Sequence, residues 1–321
     1  MKTKQHSASH LFEINHFLQQ LIFAVVILLC LFSIISPPVA LLIGVIIVNI
    51  FGNPFVAFNS KAITFLLQFS VVGLGFGMNA SSAFSVGKEG FVLTIFSIFS
   101  TLFFGFLLGK WLKTEKKTSH LISCGTAICG GSAIAAISPV IKSNENQTSI
   151  ALGVIFILNS IALFAFPFIG HQLDLSQKDF GLWCAIAIHD TSSVVGAANR
   201  YGVEALQIAT TVKLARALWI IPISLLTAVI FKNKNSKIKI PYFIGLFVLA
   251  MLINSYVPQV SIFTPHIVSF AKIGLTITLF LIGATLNINT LKSVGVKPLL
   301  QGVFLWVFIA GLSLVSIVFL S

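Results

Sequence analysis

Apolar residues along this chain gather into eleven runs separated by short polar connections: 20–36, 38–51, 62–80, 89–110, 118–141, 147–170, 180–199, 204–231, 239–256, 264–288 and 298–320. A helix needs about 20 apolar residues to cross a bilayer core. Most of the runs meet that length; the run at 38–51 starts at Pro37-Pro38 and is short enough to be a half-helix. The pattern predicts an all-α polytopic membrane protein of about 11 transmembrane helices. Residues 1–19 read as a polar cytoplasmic leader with no small-residue cleavage site after it, so the first run is expected to be a retained span. Residues 20–321 read as a single transmembrane domain, because no connection is long enough to fold separately.

Two runs depart from the lipid-facing pattern. The stretch Thr118–Ile141, TSHLISCGTAICGGSAIAAISPVI, contains no Asp, Glu, Lys or Arg but is rich in small residues, with Gly125, Gly130 and Gly131 in its middle. Such a segment is either a tightly packed central helix or a broken helix at a transporter's binding site. An opened backbone at membrane depth is tolerated only where protein or a water-filled cavity supplies hydrogen-bond partners. The run at 180–199 carries His189-Asp190-Thr191-Ser192-Ser193 at its middle. A charge at the bilayer centre costs roughly 3 kcal/mol even on lenient scales, so these groups should face the bundle interior. Asp followed by Thr and Ser also favours an opened turn or a new helix N-terminus. An interior hydrogen-bond knot between helices is the plainer alternative.

Composition agrees with the pattern. Of 321 residues, 57% are hydrophobic and 9% charged, with a mean hydropathy of +1.02, whereas soluble domains carry about 25% charge. A net charge of +12 would suit nucleic acid, but the cations are placed as topology signals. With the N-terminus inside, the inner segments hold Lys2, Lys4, Lys61, Lys110, Lys113, Lys116, Lys117, Lys178, Lys232, Lys234, Lys237, Lys239, Lys292 and Lys297. The outer segments hold Lys88, Lys142 and Arg200. That bias predicts a cytoplasmic N-terminus, an outside C-terminus and no nucleic-acid partner.

Three cations fall within runs, away from their ends: Lys213, Arg216 and Lys272. Lys213 and Arg216 are three apart and share a helix face. Against them stands one carboxylate away from the run ends, Asp190, so an interior positive surplus is predicted that an anionic ligand would relieve. The planar guanidinium of Arg suits carboxylate, sulfate or sulfonate oxygens. Snorkelling to the interface would equally account for Lys213 and Lys272. His189 beside Asp190 is a candidate proton carrier or a structural donor. The four cysteines lie in apolar runs without metal-ligand spacing and read as small hydrophobes. Gly73, Gly75 and Gly77 lack the strand–turn–helix setting of a nucleotide loop. No catalytic, metal or cofactor constellation is present, so no enzyme activity is expected.

A weak internal echo links GFGMNASSAFSVG (Gly75–Gly87) with GATLNINTLKSVG (Gly283–Gly295): Gly75, Asn79, Ser85, Val86 and Gly87 match Gly283, Asn287, Ser293, Val294 and Gly295. The third and tenth runs would point in opposite directions, as in an inverted-topology repeat.

Three motifs in order, SCGTAICGGSAIAAISPVI, IHDTSSVVGAA and VKLARALWIIP, closely resemble the YeiH family of bacterial inner-membrane proteins, also called UPF0324 or the sulfate exporter family. The resemblance covers nearly the whole chain. It implies a fold like that of sodium–proton antiporters and bile-acid symporters, with inverted repeats and broken, crossing helices. The leading expectation is a secondary transporter of a small inorganic or organic anion, with sulfate, sulfite or an organic sulfonate as candidates. Gly125, Thr126, Gly130, Gly131, Ser132, Thr191, Ser192, Ser193, Lys213 and Arg216 are the expected substrate-binding residues. His189 and Asp190 are the expected coupling pair for a proton or sodium ion, and a homodimer is a candidate assembly. The alternatives are a cation–proton antiporter using Asp190 and a non-transporting membrane sensor or scaffold.

Overall fold

A long apolar stretch in lipid has no hydrogen-bond partner for its backbone except itself, and the helix is the local solution. The computed structural model describes residues 15–231, 242–286 and 294–320, and these form helices and their connections with no strand. Lys2, Lys4, Lys232, Lys234, Lys237, Lys239 and Lys292, most of the leader, and Asn287 and Ser293 of the echo lie outside the described residues.

The first four runs form α1 (His16–Leu31), α2 (Pro37–Ile50), α3 (Val56–Gly75) and α4 (Ala80–Trp111). The fifth is divided into α5 (Lys116–Ala127) and α6 (Gly131–Ile137), and α7 (Glu145–Gln172) follows. The seventh run is likewise divided into α8 (Gln177–Ala187) and α9 (Thr191–Tyr201). Next come α10 (Val203–Ala217), α11 (Ile220–Ile230), α12 (Tyr242–Tyr256), α13 (Thr264–Gly283) and α14 (Val296–Leu320). Among the described residues, five helical segments are long and apolar enough to cross a membrane: Phe91–Trp111, Asn146–Gln172, Val203–Ile230, Thr264–Gly283 and Val296–Phe319. Four apolar helices are shorter, including α1 and α2.

The two divided runs do not continue in one direction. Gly125 of α5 packs against Ile134 of α6, and Lys117 Nζ donates to the Lys142 carbonyl at 2.7 Å. Gln147 Nε2 also donates to Glu115 Oε1. The segment therefore leaves one end of the molecule and returns to it. The second segment does the same. Cys184 Sγ meets the Val194 carbonyl at 3.7 Å, and the Tyr201 hydroxyl donates to the Leu175 carbonyl at 2.7 Å. The Phe180 and Tyr201 rings stack with centroids 3.7 Å apart. Burial, and then the nearby Asp174 carboxylate, hold the Tyr201 phenol above its ordinary pKa, so it remains a donor. Tyr201→Phe removes this closing bond and is expected to destabilise the protein by about 1 kcal/mol, read as a lowered melting temperature without loss of the fold.

This overturns the expectation that 118–141 and 180–199 each cross from one side to the other, and with it the picture of broken, crossing helices. Each breaks at its midpoint, over three residues, and the chain reverses there. The leading arms are 12 and 11 residues long, about 18 and 16 Å at 1.5 Å per residue. Between the hairpins runs α7, 28 residues or about 42 Å. It carries the chain from the base of the first hairpin to the base of the second. The bases thus lie at opposite ends of α7 and the tips point towards each other.

The echo begins at the last residues of α3 and α13, which pack side by side. Ser70 lies against Gly274, Gly73 against Ala271 and Gly77 against Val268, so the two helices run antiparallel. Each ends on its matching glycine, pressed against a neighbouring backbone: Gly75 on the Phe247 carbonyl of α12, Gly283 on the Leu41 carbonyl of α2.

Candidate functional site

The two hairpin tips meet. The first tip is Ile128-Cys129-Gly130, where Gly130 adopts φ +63°, a conformation that side-chain-bearing residues rarely take. A Cβ there would also stand 3.3 Å from the His189 carbonyl carbon and 3.4 Å from the Asp190 Cα. Only glycine allows both the turn and the contact with the second tip. Gly130→Ala is expected to cost about 1–3 kcal/mol in backbone strain alone, visible as a lower melting temperature of the purified protein.

The second tip is Ile188-His189-Asp190. Asp190 is the N-cap of α9, and its Oδ2 accepts from the Ser193 N–H at 3.1 Å, the Ser193 hydroxyl at 3.3 Å and the Ser192 hydroxyl. This is the opened turn that the Asp-Thr-Ser-Ser sequence predicts. A carboxylate here opposes the positive N-terminal end of the α9 dipole.

The preceding half-helices end at the same junction with their carbonyls unpaired, and α10 answers both. Lys213 Nζ donates to Ile128 O at 3.3 Å in the first tip. It also donates to Ala185 O at 3.3 Å and Ile188 O at 2.7 Å in the second. One buried ammonium thus holds both hairpins. Arg216 Nε donates to Ala127 O at 2.8 Å, and its Nη1 to the Ser97 hydroxyl of α4 at 3.2 Å. Lys213 and Arg216 are both 0% exposed, which removes snorkelling as an account of Lys213. Lys272 is half-buried on α13 and belongs to no such cluster.

The expected site residues divide accordingly. Gly130, His189, Asp190, Ser192, Ser193, Lys213 and Arg216 come together at the junction. Thr126 and Thr191 are buried beside it, in the last turn of α5 and the first turn of α9. Gly125 serves packing against Ile134 and Ile155, and Gly131 faces Leu152 and Phe156 of α7. Ser132 is exposed on α6, outside the buried junction. His189 and Asp190 do not bond to each other. Both His189 ring nitrogens are buried without a partner among the described residues, as are Thr126 Oγ1, Arg216 Nη2 and Asn159 Nδ2.

Two residues here escaped the sequence reading. Asn159 of α7 accepts from the His189 N–H at 3.1 Å, and Ser97 of α4 meets Arg216. Asn159-Ser160 is a polar pair at the midpoint of an apolar run, a signal of the same kind as the polar residues at 189–193. Ser97 lies in SIFST, where nothing separates it from its serine and threonine neighbours.

The matches with known proteins cover this whole arrangement. Residues 17–302 match the family model described as Conserved hypothetical protein 698, a span that includes both hairpins and α10. A UPF0324 membrane protein of Bacteroides thetaiotaomicron is 55% identical over 290 residues, covering 89% of this chain and 87% of the relative. The chain belongs to the UPF0324 family. Another UPF0324 membrane protein, from Photobacterium profundum, is 53% identical over 90% of this chain and 88% of its own. One from Porphyromonas gingivalis is 50% identical over 87% and 86%. No solved structure matches the chain. The UPF0324 relatives are membrane proteins by name, and the apolar helices of this chain agree with that placement.

Proposed function

We propose that this UPF0324 protein is a secondary active transporter of a small anion, with sulfate, sulfite or an organic sulfonate as the candidate substrates. It would lie in the bacterial inner membrane with the N-terminus in the cytoplasm and the C-terminus outside. In this reading nine helical segments cross and the two hairpins re-enter, one from each face. Alternating access then amounts to one tip parting from the junction while the other stays closed, with a proton or sodium gradient as the driving force.

The observation that carries the reading is the tip-to-tip junction with its buried charges. Half-helix ends carry about half a unit charge each, and here two negative ends and two positive ends offset one another. Lys213 and Arg216 against Asp190 leave about one net positive charge out of contact with water. Such a charge is expensive to keep bare at membrane depth, and an anion neutralises it. Irregular backbone at the centre of a bilayer is also what a binding site between re-entrant segments requires.

The test is flux in proteoliposomes. Uptake of labelled sulfate, sulfite and taurine under imposed proton and sodium gradients should appear for at least one anion and disappear in Arg216→Ala. Sodium–proton exchange without anion flux, abolished by Asp190→Asn, would replace this reading with a cation–proton antiporter. Absence of flux under every gradient would favour a non-transporting sensor.

A further inference from the structure

We propose that Asn159 is a substrate-contacting and specificity-determining residue, whose side-chain N–H donates to an oxygen of the transported anion when the tips part. The inference rests on the anion-transport reading and adds to it a contact from α7, the helix that both hairpins flank. Asn159 lies near the midpoint of that helix and is 3% exposed. Its neighbours Ile155 and Phe156 touch the first tip at Gly130 and Gly131. Its own Oδ1 accepts the backbone N–H of His189 in the second tip at 3.1 Å. That bond occupies Oδ1 and leaves Nδ2 as the free donor of the amide beside the second tip.

Nδ2 itself has no partner among the described residues, and neither does either His189 ring nitrogen. A buried amide N–H left unsatisfied costs about 1–3 kcal/mol, which Leu or Met at this position would avoid. Arg216 Nη2 and Thr126 Oγ1 are also unpartnered, and Arg216 Nε holds the carbonyl of Ala127, the residue after Thr126. Nδ2 and Nη2 can only donate, and Thr126 and His189 can each donate once. A ligand that satisfies this set must offer several acceptors, which is the property of an oxyanion. An ammonium group could donate to Thr126 Oγ1 or to one His189 ring nitrogen, but it would leave Asn159 Nδ2 and Arg216 Nη2 unsatisfied.

Two substitutions separate a substrate contact from a scaffold role. Asn159→Asp keeps the oxygen that accepts from His189 and removes the donor; Asn159→Leu removes both. In proteoliposomes given sulfate, sulfite and taurine, the KM of the transported anion should rise about tenfold or more in Asn159→Leu, the effect of losing one hydrogen bond to a charged group, and at least as far in Asn159→Asp, whose carboxylate also repels the anion. Vmax per folded protein should stay within about twofold, since the lost contact is one of uniform binding. Fluorescence-detected size exclusion supplies the count of folded protein. An Asn159→Asp variant with unchanged KM, beside an Asn159→Leu variant that loses folded protein, would overturn the proposal and leave the transport reading intact. Wild-type protein with no anion flux would overturn both.

Discussion

Lys213→Met is expected to abolish anion flux and to lower stability by roughly 3 kcal/mol or more, because three buried carbonyls lose their donor at once. Methionine matches the length and volume of the lysine stem, so the loss is electrostatic rather than a cavity. The carbonyls of Ile128, Ala185 and Ile188 belong to two different hairpins, and Lys213 Nζ is the group that joins them. Stability is read from the thermal unfolding of purified protein, and flux from proteoliposomes. Flux should fall further than the folded fraction does, because the tips lose the centre around which they part.

The second large effect is expected at Asp190, where two substitutions should behave differently. Asparagine caps a helix about as well as aspartate, whereas alanine costs about 1 kcal/mol or more. Asp190→Asn is therefore expected to melt within a few degrees of the wild type, with Ser193 still capped. Asp190→Ala leaves the Ser192 and Ser193 donors without an acceptor and should melt clearly lower. Both raise the net charge of the junction by about one unit. Anion exchange in the absence of an ion gradient should persist in Asp190→Asn, while accumulation driven by a proton or sodium gradient is lost. Equal accumulation by wild type and Asp190→Asn would remove Asp190 from the coupling step.

Much of this architecture is legible in the residues. The apolar runs mark the α-helices of the described residues, and Gly130-Gly131 and Asp190-Thr191-Ser192-Ser193 mark both breaks to within a residue. Their half-helical ends follow from local chemistry: a positive φ that glycine allows, and a carboxylate that caps. The fate of the chain after each break is not legible. A broken helix and a re-entrant hairpin share the same run of small and polar residues, and tertiary contacts such as Lys117 to Lys142 decide between them. The charge bias is blind to the difference as well. Re-entry moves Lys142 to the side of Lys117 and Lys178 to the side of Arg200, so one cation is exchanged for another and the inside excess is unchanged. The partners of Lys213 and Arg216 were hidden for a related reason. They are backbone carbonyls, which no side-chain pattern reports, so the cations read as a plain surplus. The surplus survives in reduced form, because the helix ends that hold the two cations are balanced by the N-terminal ends of α6 and α9.

The most direct test of the account asks from which side each hairpin arm is reached. Single cysteines at Lys116, Lys142, Lys178 and Arg200, all exposed, would be labelled with a membrane-impermeant maleimide in intact and in permeabilised cells. The four native cysteines are buried and supply little background. The two hairpins predict that Lys116→Cys and Lys142→Cys react only after permeabilisation, and that Lys178→Cys and Arg200→Cys both react in intact cells. Labelling of Lys116→Cys and Lys142→Cys from opposite sides would contradict the hairpin and the junction built on it.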